Sequence, residues 1–158
     1  MSEMHLAYLN LGSNIQPESN LPKAVELLSQ YGEIQNISSV WASEPVGTIG
    51  NNYLNACVKF KTPLSSSELK ESAIHPIEDQ LGRERSKNKF APRSMDIDII
   101  LFDDEPVNLG VWEVAFVVVP LADIYPNFKI TSTGETALET ATRLRRKVWL
   151  ETRQGVLG

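Results

Sequence analysis

Residues 95–102 read Met-Asp-Ile-Asp-Ile-Ile-Leu-Phe, and the alternation of Met95, Ile97, Ile99 and Leu101 predicts a strand with these four side chains on one face. Asp96 and Asp98 then point together to the other side. Two like charges held next to one another need a cation between them. A pair of hard oxygen donors, with water and phosphate oxygens completing the coordination, suits Mg²⁺ carried in with a nucleotide better than a closed protein cage. Alone, the same alternation also fits a solvated sheet face. Upstream, residues 83–93 hold Arg83, Arg85, Lys87, Lys89 and Arg93 against Glu84 alone. Arginine forks bind phosphate oxygens in pairs, and Arg93 lies three residues before Asp96. Carboxylates and guanidiniums together point to phosphoryl chemistry.

Working towards the N-terminus, His5–Leu11 reads as a strand that breaks at Gly12-Ser13-Asn14. Leu21, Val25 and Leu28 recur at helical spacing after a cap at Ser19 or Asn20, with Pro22 in the first turn and Gly32 as the stop. Residues 34–41 and 53–61 read as strands. Between them, Ser43–Asn52, with Pro45, Gly47 and Gly50, forms a ten-residue loop long enough to be functional. Tyr53 and Asn55 share a face of their strand, an aromatic beside an amide, which suits a flat heteroaromatic ring. Ser65–Gln80 is a helix with a kink at Pro76, ending at Gly82. Beyond the Asp strand, Phe116–Val119 is a buried element, Thr136–Leu144 a short helix and Lys147–Leu150 a last strand. The basic cluster Arg143–Lys147 complements the carbonyl end of that helix.

Strand, helix, strand, strand, helix, strand is the order of a split β-α-β arrangement, an antiparallel sheet with two helices on one face. The two long loops then meet at one end of the sheet. The chain has 158 residues, 42% of them hydrophobic, and reads as one domain over residues 1–158. Its single cysteine, Cys57, sits in an apolar strand as a small buried hydrophobe. A cytoplasmic location is expected, with no membrane partner. A net charge of −5 argues against nucleic acid as a partner. With only His5 and His75 available, a histidine-based triad has little support.

From Lys89 to Ile100, KFAPRSMDIDII, the sequence resembles the signature of the 6-hydroxymethyl-7,8-dihydropterin pyrophosphokinases. Leu11-Gly12-Ser13-Asn14, Tyr53-Leu54-Asn55-Ala56, Glu78 followed by Gly82-Arg83-Glu84-Arg85, and Phe116–Leu121 match in family order. The resemblance implies an α+β fold with a ferredoxin-like βαββαβ core and a C-terminal helical extension. It also implies transfer of pyrophosphate from ATP to the pterin hydroxymethyl oxygen, with release of AMP. Asp96 and Asp98 would hold two Mg²⁺ ions, Arg83 and Arg93 would contact the phosphates, and Glu78, Arg85 and Ile99 would lie at the nucleotide. Tyr53 and Phe116 would sandwich the pterin, Asn55 and the backbone from Ser43 to Val46 would read its edge, and Phe90 stands where the family usually has Trp. ATP and the pterin are the expected partners, and the chain is expected to act as a monomer. The segment before Phe116 is shorter than the family pattern and lacks its His-Pro and Arg, with Val114 and Ala115 in their place. Two further readings follow: a diverged nucleotide- or pterin-binding homologue without turnover, and an RNA-binding module built on the same arrangement.

Overall fold

The computed structural model describes residues 3–44, 52–82 and 94–157, which form both strands and helices. They run β1 (His5–Ser13), α1 (Pro17–Leu28), β2 (Glu33–Ile37), β3 (Val40–Ser43), β4 (Tyr53–Thr62) and α2 (Ser66–Glu68). A wide π turn (Leu69–Ile74), α3 (His75–Gln80), β5 (Asp96–Phe102), β6 (Glu105–Pro106), a short 3-10 turn (Leu109–Val111), α4 (Ala115–Ile124), α5 (Ala137–Arg145) and β7 (Leu150–Arg153) follow. Among the described residues the sheet has seven strands in the order β6-β5-β1-β4-β3-β7, with β2 also paired to β4. All its pairings are antiparallel. This is the expected α+β architecture with a ferredoxin-like core.

The sheet is covered on both faces, where the sequence pattern suggested one. On the first face Ala7, Leu9 and Leu11 of β1, Leu54, Ala56, Val58 and Phe60 of β4, and Ile97 and Ile99 of β5 pack under α1 and the α2–α3 segment. On the second, Tyr8, Trp41, Cys57, Ile100 and Leu101 pack under α4 and α5. The reason lies in α4, whose residues from Val117 to Ala122 are all buried. A helix apolar all round needs cover on every side. The buried element expected at Phe116–Val119 is therefore a helix, held between sheet and α5.

Local departures from the sequence reading each have a physical cause. Gly12 and Ser13 stay in β1 because β4 and β5 both supply partners: Gly12 pairs with Asn55 and with Asp96. Helix α1 starts at Pro17, whose missing N–H costs nothing in a first turn, and Asn20 bonds the Ile15 carbonyl at 2.7 Å rather than capping. That helix ends at Leu28, well before Gly32. Gly32 is instead a close approach, since a Cβ there would sit 2.3 Å from the Lys61 carbonyl oxygen. The strand expected at 34–41 breaks between β2 and β3, where Ser38 accepts the Cys57 N–H at 2.8 Å.

The second helix begins with a capping box between Ser65 and Glu68. Its Pro76 has no N–H to give, and the turn ahead of it widens, with His75 N–H reaching back to the Lys70 carbonyl. In β5, Leu101 faces Tyr8 while Ile99 faces Leu9, so Ile100 is an extra residue. This bulge moves Leu101 to the second face, away from Ile97 and Ile99. The last strand lies at Leu150–Arg153, beyond the expected Lys147–Leu150, and pairs with β3. Among the described residues no helix is long and apolar enough to cross a membrane.

Candidate active site

Three strand ends build the site. Directly opposite residues in an antiparallel pair project to the same face. Gly12 of β1 lies between Asn55 of β4 and Asp96 of β5, and Asn10 lies between Cys57 and Asp98. These two rows continue the second face to the start of α4, whose Ala115 and Phe116 border the same cavity. The result is a cleft of about 1140 Å³ with Asn10, Gly12, Asn55, Asp96 and Asp98 on its lining. Ser43, Tyr53 and Phe116 line it as well, so ring platform, edge readers and acidic pair share one cavity.

A second cleft of about 1060 Å³ lies alongside, lined by Lys70, His75, Glu78 and Ile99. Asp96 and Asp98 line both. The acidic pair, with Asn108 and Val111, therefore forms the shared wall between a cavity with aromatic sides and one lined by a lysine, polar groups and aliphatic side chains. Among the described residues no three His, Cys, Asp or Glu side chains cluster as a metal cage. Two carboxylates on an open wall leave coordination positions for water and phosphate, which suits a hard divalent ion carried by a nucleotide.

Glu78 is 2% exposed, and its Oε2 accepts the Ile97 N–H at 2.9 Å. It thus ties α3 to the strand residue between the two aspartates. Gly12 is required by packing, since a Cβ at this position would lie 2.5 Å from Asn55 Nδ2. Among the described residues four buried side-chain polar atoms have no hydrogen-bond partner: Asn10 Oδ1, Ser43 Oγ, Asn55 Oδ1 and Ser94 Oγ. The first three belong to residues lining the larger cleft. Orphaned acceptors gathered in one cavity are what a polar ligand would satisfy.

The cleft rim holds residues the sequence reading did not assign to a site: Glu113, Lys147 and Trp149. Among the described residues Lys147 is the one cation on the larger lining. The basic cluster does more than complement a helix end. Arg143 forks onto both oxygens of Glu113, at 3.0 and 3.1 Å, and onto Glu135 at 2.8 Å. Arg145 lies 4.8 Å over the Trp41 ring. The fork fixes the short segment before Phe116. Cys57 is buried as expected, and burial pushes its thiol well above the ordinary range. Val46, Arg83, Arg85, Phe90 and Arg93, with most of the two long loops, lie outside the described residues.

Residues 8–126 match the family profile described as 7,8-dihydro-6-hydroxymethylpterin-pyrophosphokinase. The chain belongs to this family. It is 37% identical over 134 residues to the 2-amino-4-hydroxy-6-hydroxymethyldihydropteridine pyrophosphokinase of Aquifex aeolicus, covering 78% of this chain and 82% of that one. With the enzyme of the same name from Methylorubrum extorquens it shares 37% identity over 153 residues, covering 89% of this chain and 94% of the other. In fold it is similar to wild-type Plasmodium falciparum HPPK-DHPS with pterin and p-hydroxybenzoate, at a TM-score of 0.70 and 14% identity. That match covers 93% of this chain and 44% of the other, so the chain spans under half of that longer protein.

Proposed function

We propose that the larger cleft holds 6-hydroxymethyl-7,8-dihydropterin, that the neighbouring cleft holds ATP, and that pyrophosphate passes between them across the Asp96–Asp98 wall. Family membership supports the reaction class, ATP-dependent pyrophosphoryl transfer in folate synthesis. The observation that carries the site assignment is that these two aspartates line both cavities.

In this reading Tyr53 and Phe116 flank the pterin ring, and Asn55 and Ser43 offer it their unpartnered oxygens. The hydroxymethyl oxygen then faces the acidic pair. It attacks the β-phosphorus of ATP: the new bond is from that oxygen to phosphorus, the bond to the α–β bridging oxygen breaks, AMP departs with the electron pair, and the hydroxyl proton passes to water. Asp96 and Asp98 would hold two Mg²⁺ ions, which when bound would neutralise the triphosphate and the charge developing on the transferred group. Glu78 keeps β5 in place, and Ile99 borders the nucleotide side.

By resemblance to the signature, Arg83, Arg85 and Arg93 contact phosphates, and Phe90 and the backbone at Val46 close on the pterin. Lys147 and Lys70 are the described cations on the two linings, and they take on part of the work of the missing His and Arg. The chain acts as a monomer in the cytoplasm, where ATP is supplied. Incubating the protein with Mg·ATP and the hydroxymethyldihydropterin tests the proposal. AMP should accumulate with wild type and stay at the blank level with Asp96→Ala and Asp98→Ala. No AMP from the wild type, or turnover unaffected by either substitution, would overturn it.

A further inference from the structure

We infer that Asn10 is a positioning residue for the divalent ion at Asp98, its Oδ1 accepting a hydrogen bond from a water bound to that ion. The inference rests on the assignment of the acidic pair above. Asn10 interrupts the apolar run of the central strand, is 3% exposed and lines the larger cleft. Its Oδ1 has no hydrogen-bond partner. A buried acceptor without a donor destabilises a fold, so a structural role gives no account of it.

The register says what the missing donor is. Asn10 sits directly across from Asp98 in the β1–β5 pairing and from Cys57 in the β1–β4 pairing. Such cross-strand neighbours lie on one face at side-chain contact range. A thiol is a weak donor, and burial holds Cys57 in that S–H form. An ionised carboxylate has no proton to give. Two acceptors on neighbouring positions of one face and one cleft, Asn10 Oδ1 and the Asp98 carboxylate, are reconciled by a species that binds the carboxylate as a cation and offers O–H donors beside it. A hydrated divalent ion does both. Outer partners of this kind fix the orientation of bound water and raise ion affinity.

The test uses the full chain, Mn²⁺ as the paramagnetic probe and the α,β-methylene analogue of ATP, which cannot be cleaved. Asn10→Ala should weaken Mn²⁺ binding about ten-fold or more. In the absence of metal it should melt no lower than wild type, because it removes an orphaned polar atom. Asn10→Asp, which keeps an oxygen in place, should restore Mn²⁺ affinity. Wild-type Mn²⁺ affinity in Asn10→Ala while Asp98→Ala loses it would overturn the role of Asn10 and leave the acidic pair standing. Wild-type affinity in Asp98→Ala as well would overturn both. A lower melting temperature for Asn10→Ala with unchanged Mn²⁺ binding would assign the amide to the fold and reject the inference.

Discussion

The two faces of the sheet are built from the same strands and end differently. Under α1 and α3 the apolar rows run the full length of β1, β4 and β5, and the buried Glu78 is matched by the Ile97 N–H. Under α4 and α5 the rows start the same way with Tyr8, Leu101 and Cys57, then turn polar at Asn10, Asn55, Asp96 and Asp98. Three of the four orphaned buried polar atoms belong to residues lining the cleft on this second face. One face holds the fold and the other sacrifices part of its packing to a site. Stability and function should therefore separate cleanly by face.

The strongest way to break that separation is to make the second face resemble the first. Asp98→Leu extends the apolar row, and we expect turnover to fall by about 10³-fold or more, on the scale of losing a principal electrostatic contact. The melting temperature should hold or rise slightly, because one of two neighbouring carboxylates is removed at an exposed position. A variant that loses stability as well would show that the acidic pair supports the fold. The converse substitution, Leu9→Ala, empties a fully buried position on the first face. It should cost about 3 kcal/mol in denaturant unfolding and leave both KM values near wild type. A large KM change would mean that the faces are coupled.

How much of this was legible in the sequence follows from where the information is local. Alternation in a strand is local, so β1, β4 and β5 were found, together with the shared direction of Asp96 and Asp98. The helix starts read at Ser65 and Thr136 are local as well, and the structure closes each with a capping box. The second covering layer is not. Whether Phe116–Val119 forms strand or helix depends on what packs around it, and a short run apolar on every side shows no period. The bulge at Ile100 and the start of β7 depend on partner strands far away in sequence. Asn10 was not singled out in the sequence, because its meaning needs the register that sets it across from Asp98. Lys147 was read only as part of a basic cluster at a helix end, and Trp149 was not singled out, since only the path of the chain after α5 brings them to the cleft.

Glu78 ties the first face to the strand that carries the acidic pair, and truncating it sharpens the comparison. In Glu78→Ala the Ile97 N–H is left buried without its acceptor, at a cost of about 2 kcal/mol, and both KM and kcat should worsen as β5 loosens. Glu78→Gln retains an acceptor and should recover most of the stability. If Glu78→Ala kept full stability and lost only ATP affinity, the carboxylate would belong to the nucleotide rather than to the strand. A smaller effect is expected from Gly12→Ala. Its new methyl must displace Asn55 Nδ2, so the pterin KM should rise about ten-fold, which is near 1.4 kcal/mol, with little change for ATP. An equal rise for both substrates would place Gly12 in the general architecture of the cleft.

The smallest effect concerns acid, and it tests how the rim before Phe116 is held. Hydrogen bonds from the Arg143 guanidinium hold Glu113 and Glu135 below the ordinary carboxylate range. A carboxyl group depressed in the folded state stabilises it fully above the unfolded value, near pH 4.5, and this stability is lost as pH falls through the lower folded value. Glu113 is exposed and Glu135 is half-buried at the rim, so the contribution is slight and screened by salt. Melting temperature followed from pH 6 to pH 3 should therefore drop more steeply in wild type than in Arg143→Met, the curves converging at the acid end. Because Glu113 lies on the cleft lining while the fork sits on α5, Arg143→Met should also raise the pterin KM about two-fold at neutral pH and leave the Mn²⁺ affinity unchanged. Parallel melting curves would show that the fork contributes nothing to the acid limb, and that the rim is positioned by the apolar packing of α4 alone.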